Sequence, residues 1–105
     1  MATKTHQDPP IVTWAKSRRP ADGSLRVWWI PQVPGQRFFA PVADLTQAKL
    51  LLTTLAHYDL FQFENRIKPD YANAGGLEVF EDGEWSEWHT EDGDDIDAVM
   101  HAEAV

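Results

Sequence analysis

Carboxylates are the most numerous residues of this chain that could do chemistry, and most of them lie towards its C-terminal end. Asp92, Asp94, Asp95 and Asp97 crowd around Gly93, a composition to be tested against a calcium loop. Such a loop places oxygen ligands at alternate positions, a glycine sixth and a glutamate twelfth. Counted from Asp92, glycine falls second, and apolar residues separate the cluster from Glu103 at the twelfth place. The spacing reads as a solvated acidic stretch, and no metal site is expected. The histidines are His6, His57, His89 and His101. None belongs to a His-Glu-x-x-His arrangement, and none has a second histidine four residues on. His57 falls near the expected end of a helix, where an imidazole answers the helix dipole. No Gly-x-Ser-x-Gly elbow surrounds Ser17, Ser24 or Ser86. The absence of cysteine excludes a thiolate nucleophile, a thiolate metal site and a disulfide. Glu78, Glu84 and Glu87 supply the carboxylate pair that a glycosidase needs, but a chain of 105 residues leaves little room for a sugar cleft. Gly75-Gly76 precedes a strand and lacks the lysine of a phosphate-binding loop. The expectation is no catalytic residue, no cofactor and no enzyme.

Binding is the better prospect, and charge shows where. The net charge is −8, unevenly spread. Residues 1–68 hold all nine Lys and Arg against five acidic groups; residues 69–105 hold twelve acidic groups and no Lys or Arg. Nucleic-acid phosphates would repel that final third, so direct nucleic-acid binding by it is not expected. A basic protein surface is its natural complement. Five tryptophans, at positions 14, 28, 29, 85 and 88, are many for this length. Core packing accounts for most of them. Trp85 and Trp88 stand three apart, so a regular strand sends them to opposite faces and exposes one within a ring of glutamates. Tryptophan anchors inside a charged rim are a common interface design. The candidate binding residues are therefore Trp85, Trp88, Glu84, Glu87, Glu91, Asp92, Asp94 and Asp95.

One α+β domain must position them. Residues 1–24 read as an irregular arm, with tandem prolines and a basic cluster, which Ile11, Val12 and Trp14 could pin to the domain as an edge strand. Leu25 to Ile30 is rich in branched and aromatic residues and stops at Pro31, a strand signal. Arg37 to Val42 reads as a second strand. Asp44 with Gln47 three residues on marks a helix start, and Leu45, Ala48, Leu52 and Leu55 recur at helical spacing to about His57 or Tyr58. Leu60, Phe61, Phe63 and Ile67 suggest a strand or packed loop, followed by a turn-rich stretch to Gly76. Leu77 to Trp88 is a hairpin about Asp82-Gly83. A two-residue turn pairs Phe80 with Trp85, whereas a longer one pairs Val79 with Trp85 and exchanges the faces. The architecture expected is β-β-α-β-β over residues 25–90, an antiparallel sheet with one main helix on one face. Residues 91–105 read as a mobile acidic tail. No apolar run reaches the length of a membrane span, and the polar Met1 to Pro10 has no secretory character, which suggests a cytoplasmic protein.

Three segments together resemble a known family. They are Trp28-Trp29-Ile30-Pro31-Gln32-Val33-Pro34-Gly35, the helical Ala48-Lys49-Leu50-Leu51-Leu52, and the block from Tyr58 to Trp88. The block runs from Tyr58-Asp59-Leu60-Phe61-Gln62-Phe63 through Asn73-Ala74-Gly75-Gly76 to Glu81-Asp82-Gly83-Glu84-Trp85. The resemblance is to small proteins of tailed phages and prophages that are often labelled superinfection exclusion proteins, and it covers roughly Leu25 to Ile96. It implies a role in a phage-infected cell and brings no catalytic residues with it. The expected activity is binding of a host or rival-phage protein, superinfection exclusion being the role the resemblance suggests. The alternatives are an anti-defence inhibitor whose acidic face mimics nucleic acid, and a structural or assembly component of the phage particle.

Overall fold

The tandem Trp28-Trp29 sets the layout of the sheet. In the computed structural model, which describes residues 20–104, strand β1 (Leu25–Ile30) is central. It pairs antiparallel with β2 (Phe38–Val42) on one side and β3 (Ala74–Glu81) on the other. β4 (Glu84–Glu87) closes the order β2-β1-β3-β4. The period of two sends Val27 and Trp29 to an inner face, where they join Ala48, Leu52, Leu77 and Ile96 in the core. Arg26 and Trp28 go to the other face. The expected β-β-α-β-β order and antiparallel sheet are both present. The edge strand proposed around Ile11, Val12 and Trp14 lies outside the described residues.

Each tryptophan of β1 faces a glycine of β3. The register sets Trp28 against Gly76 and Trp29 against Gly75. A Cβ on Gly75 would collide with the Trp29 ring and come within 3.2 Å of Leu52 Cδ2. A Cβ on Gly76 would lie 2.7 Å from Trp28 Cε2. The two glycines therefore form strand, not the turn their sequence suggests, because bare backbone makes room for an indole on each face. Positive φ among glycines occurs instead at Gly23, Gly83 and Gly93.

Helix α1 (Leu45–Glu64) starts where the cap predicts: Asp44 Oδ1 accepts the Gln47 N–H at 2.9 Å, and Gln47 Oε1 accepts that of Ala43 at 2.8 Å. It continues six or seven residues beyond the expected end. No glycine or proline interrupts Tyr58 to Glu64, and Arg66, with φ 62°, terminates the helix in the left-handed conformation. The extra turns carry Asp59 inward, where it is 2 % exposed. Its Oδ2 accepts Trp29 Nε1–H at 3.1 Å and lies 3.2 Å from Lys68 Nζ, which also donates to the Pro31 carbonyl. This buried pair ties the helix end, the following loop and β1 together.

The stretch expected to be a frayed tail contains a second helix. Asp95 Oδ1 accepts the Ala98 N–H at 2.9 Å at the start of α2 (Ile96–Ala104), and Lys49 Nζ reaches Glu103 at 2.7 Å. Ile96 is 2 % exposed, and Met100 packs on the same core. That burial orders a segment too short to be helical by itself. The packed unit therefore extends past residue 90.

Two stability predictions follow from these contacts. Gly75→Ala should cost about 2–3 kcal/mol in urea denaturation, as overpacking of a filled core does. Gly76→Ala should cost less, because Trp28 can swing towards solvent; equal costs would contradict the asymmetry. Lys68→Met should cost about 3–5 kcal/mol by stranding the Asp59 carboxylate. Combining it with Asp59→Leu should give a loss well below the sum of the single losses, whereas strict additivity would exclude the coupling.

Candidate functional site

The hairpin turn decides which tryptophan faces outward. Asp82 and Gly83 take φ of 55° and 81°, both positive, as a two-residue type I′ turn demands. Phe80 therefore pairs with Trp85. Their rings meet edge-on, with centroids 5.2 Å apart, on the outer face of the sheet. Trp88, three residues on, turns the other way and packs against the core, its N–H donating to the Leu77 carbonyl at 3.0 Å.

Trp85 does not stand alone. The Arg26 guanidinium lies 4.2 Å from the Trp85 ring centroid and 3.8 Å from that of Phe39, and Arg37 lies 4.1 Å from Trp28. Glu78 holds both arginines. Its Oε1 accepts Arg26 Nε–H at 2.8 Å, and its Oε2 accepts Arg37 Nη1–H at 3.1 Å. One carboxylate from β3 thus fixes two cations: Arg26 lies against rings of β2 and β4, and Arg37, just before β2, against one ring of β1. Both helices pack on the inner face, so among the described residues no helix covers this cluster. Arginine and tryptophan, held in place before any encounter, are the residue types that dominate interface energetics.

The acidic residues proposed from sequence lie on β4 and in the segment after it. Glu84 and Glu87 are exposed on β4, and His89 Nε2 lies 3.8 Å from Glu87. Glu91, Asp92 and Asp94 are exposed in the following loop, which Thr90 organises by accepting the Asp92 and Asp94 N–H groups on Oγ1. Asp95 is half-buried, and its carboxylate caps α2. Of the eight residues proposed from sequence, Trp85 and Glu87 share the outer face of β4, whereas Glu84 turns to the other face. Trp88 belongs to the core and Asp95 to a helix cap. Sequence reasoning missed Arg26, Arg37, Phe39, Trp28 and Glu78; their only advance signal is that Arg26 and Trp28 alternate with the buried Val27 and Trp29.

Other chemistry finds little support among the described residues. No three His, Asp or Glu side chains converge as a metal site. No helix is long and apolar enough to cross a membrane. A cleft of about 410 Å³ opens between α1, β3 and α2, with Trp29, Leu52, Met100, Asn73 and Asp97 on its walls. It offers one amide and one carboxylate, too few polar groups to orient a substrate.

A four-stranded antiparallel sheet with both helices on one face and an aromatic–arginine cluster on the other defines a small α+β protein. The family model for superinfection exclusion gene product 17 matches residues 24–104, and the chain belongs to that family. It is similar to the superinfection exclusion protein of Salmonella phage P22, 40 % identical over a stretch covering 64 % of this chain and 78 % of that relative. No solved structure matches the chain.

The opposed tryptophans should separate in a stability series. Trp88→Ala should cost about 3 kcal/mol or more, as a core truncation does. Trp85→Ala should cost about 1 kcal/mol, the scale of one half-buried cation–π and aromatic contact. The reverse order in urea denaturation would overturn the assignment of faces.

Proposed function

We propose that the chain acts in superinfection exclusion, as the name of its phage relative says of that protein, by binding a host or rival-phage protein on the outer face of the sheet. One observation carries this reading: Trp85 lies on the outer face, stacked on an arginine that is already locked by Glu78. Pre-ordered side chains lose little entropy on binding, so a partner gains their full contact energy. Glu84, Glu87, Glu91, Asp92 and Asp94 are exposed on β4 and in the loop after it, and their charge suits a partner with a basic surface. The two parts divide the work, with the acidic residues steering the approach and the aromatic–arginine cluster slowing departure.

The reading is tested in cells that express the chain and are challenged with a second phage. Trp85→Ala with Arg26→Ala should lower protection at least about tenfold, the loss expected when a pair of interface anchors is removed. Glu84→Gln with Glu87→Gln should weaken protection less and slow the association rate with the captured partner, an effect that added salt erases. Protection unchanged in the Trp85/Arg26 variant would sink the proposal. Displacement of the partner by DNA would favour mimicry of nucleic acid instead.

A further inference from the structure

The two edges of the sheet offer different backbones to a further strand. Phe80 N–H donates to the Ser24 carbonyl at 2.9 Å, so the even-numbered residues of β3 bond towards β1. Alternation then turns Leu25, Val27 and Trp29 of β1 towards β2, where they pair with Val42, Ala40 and Phe38. Phe39 and Pro41 are left facing outward. Proline has no N–H, so the β2 edge lacks a donor at one of its two outward positions.

The β4 edge has no such guard. Trp88 N–H donates to the Leu77 carbonyl at 3.0 Å, and Ser86 and Glu84, each two residues back, bond to β3 in the same sense. Trp85 and Glu87 therefore direct their N–H and C=O groups away from the sheet. Among the described residues no strand lies beyond β4. The two outward positions repeat at roughly 7 Å, the spacing at which an extended chain presents its own donors and acceptors.

We infer that the outer edge of β4 takes an extended segment of the partner protein as an added strand, with basic residues opposite Glu84 and Glu87 and an apolar residue opposite Trp85. The inference rests on the outer face as the partner surface and names how the partner is held there. Trp85 joins the two, since its backbone lines the edge while its ring meets Phe80 and Arg26 on the face. Main-chain bonds supply the attachment, and the alternating side chains supply the choice of sequence. Charge makes that choice. Glu84 and Glu87 are exposed, and β4 carries no Lys or Arg. Opposite charges directly across a strand pair stabilise it, and like charges oppose it. A second copy of β4 would bring two further carboxylates to the edge, so pairing of the chain with itself is discouraged. In the antiparallel sense the matching segment reads basic, any residue, apolar, basic.

Amide hydrogen exchange on the full chain tests this, with an acetylated and amidated peptide of core Arg-Thr-Val-Arg as the probe. In the free chain the Trp85 and Glu87 amides should exchange at least about tenfold faster than that of Ser86, which bonds to β3. The peptide should slow both, and the same peptide N-methylated at its valine should slow neither. Glu87→Pro deletes one outward N–H and spares the bonds to β3. It should weaken peptide binding about tenfold beyond Glu87→Gln, which removes the same charge, as loss of one hydrogen bond does. Trp85 and Glu87 amides already slow in the free chain would show the edge covered from within and overturn the inference. Equal binding of the N-methylated peptide would overturn it too, by showing attraction of charge alone. In challenged cells, loss of protection in the Trp85/Arg26 variant with full protection in Glu87→Pro would sink the added strand and leave the outer-face reading standing. Loss in Glu87→Pro but not in the Trp85/Arg26 variant would do the reverse.

Discussion

Two indoles on adjacent residues must leave β1 on opposite faces, and both need space that an ordinary neighbouring strand does not have. The structure meets that requirement with Gly75 and Gly76, set by the antiparallel register directly against Trp29 and Trp28. The inner indole closes the core and reaches Asp59; the outer one is the platform for Arg37. Had the register slipped by one residue, a tryptophan would face Leu77 or Ala74, and both faces would lose their fit. The core, the helix anchor and the outer cluster all depend on this single alignment.

The two faces use it differently. Inside, the Trp29 N–H and the Lys68 ammonium satisfy a carboxylate that would otherwise be costly to bury, and the long helix is fixed at its far end as well as its cap. Outside, arginines and rings alternate across strands: Phe39 from β2, Arg26 from β1, Glu78 and Phe80 from β3, Trp85 from β4. No residue of that cluster is placed by its sequence neighbours alone. The sheet assembles it.

That difference explains what could be read in advance. β1, the cap at Asp44 and the Asp82-Gly83 hairpin are written in local signals, and each appears where those signals place it. The last two turns of α1 are not legible in sequence because Leu60, Phe61 and Phe63 fit either a strand or a helix over so few residues. Asp59, a poor helix former, is rescued only by partners thirty residues back and nine ahead. α2 carries no local signal of its own, because Ile96 holds it by entering a core built by other segments. Of the candidate site, the acidic residues are plain in the sequence because charge is counted directly. The arginine–aromatic half was invisible because its contacts cross three strand boundaries.

The position of β1 between β2 and β3 also has a kinetic side. β2 follows β1 after one short connection, but β3 arrives only after the whole of α1 and its trailing loop. The hairpin of β1 and β2 can therefore form early and locally, while closure of β1 on β3 must overcome the entropy of a long intervening chain. As the protein emerges from the ribosome, Trp28 and Trp29 wait uncovered until Gly75 and Gly76 follow. Until that pairing forms, two indoles and the free edge of β1 have no cover, which is the condition under which chains aggregate.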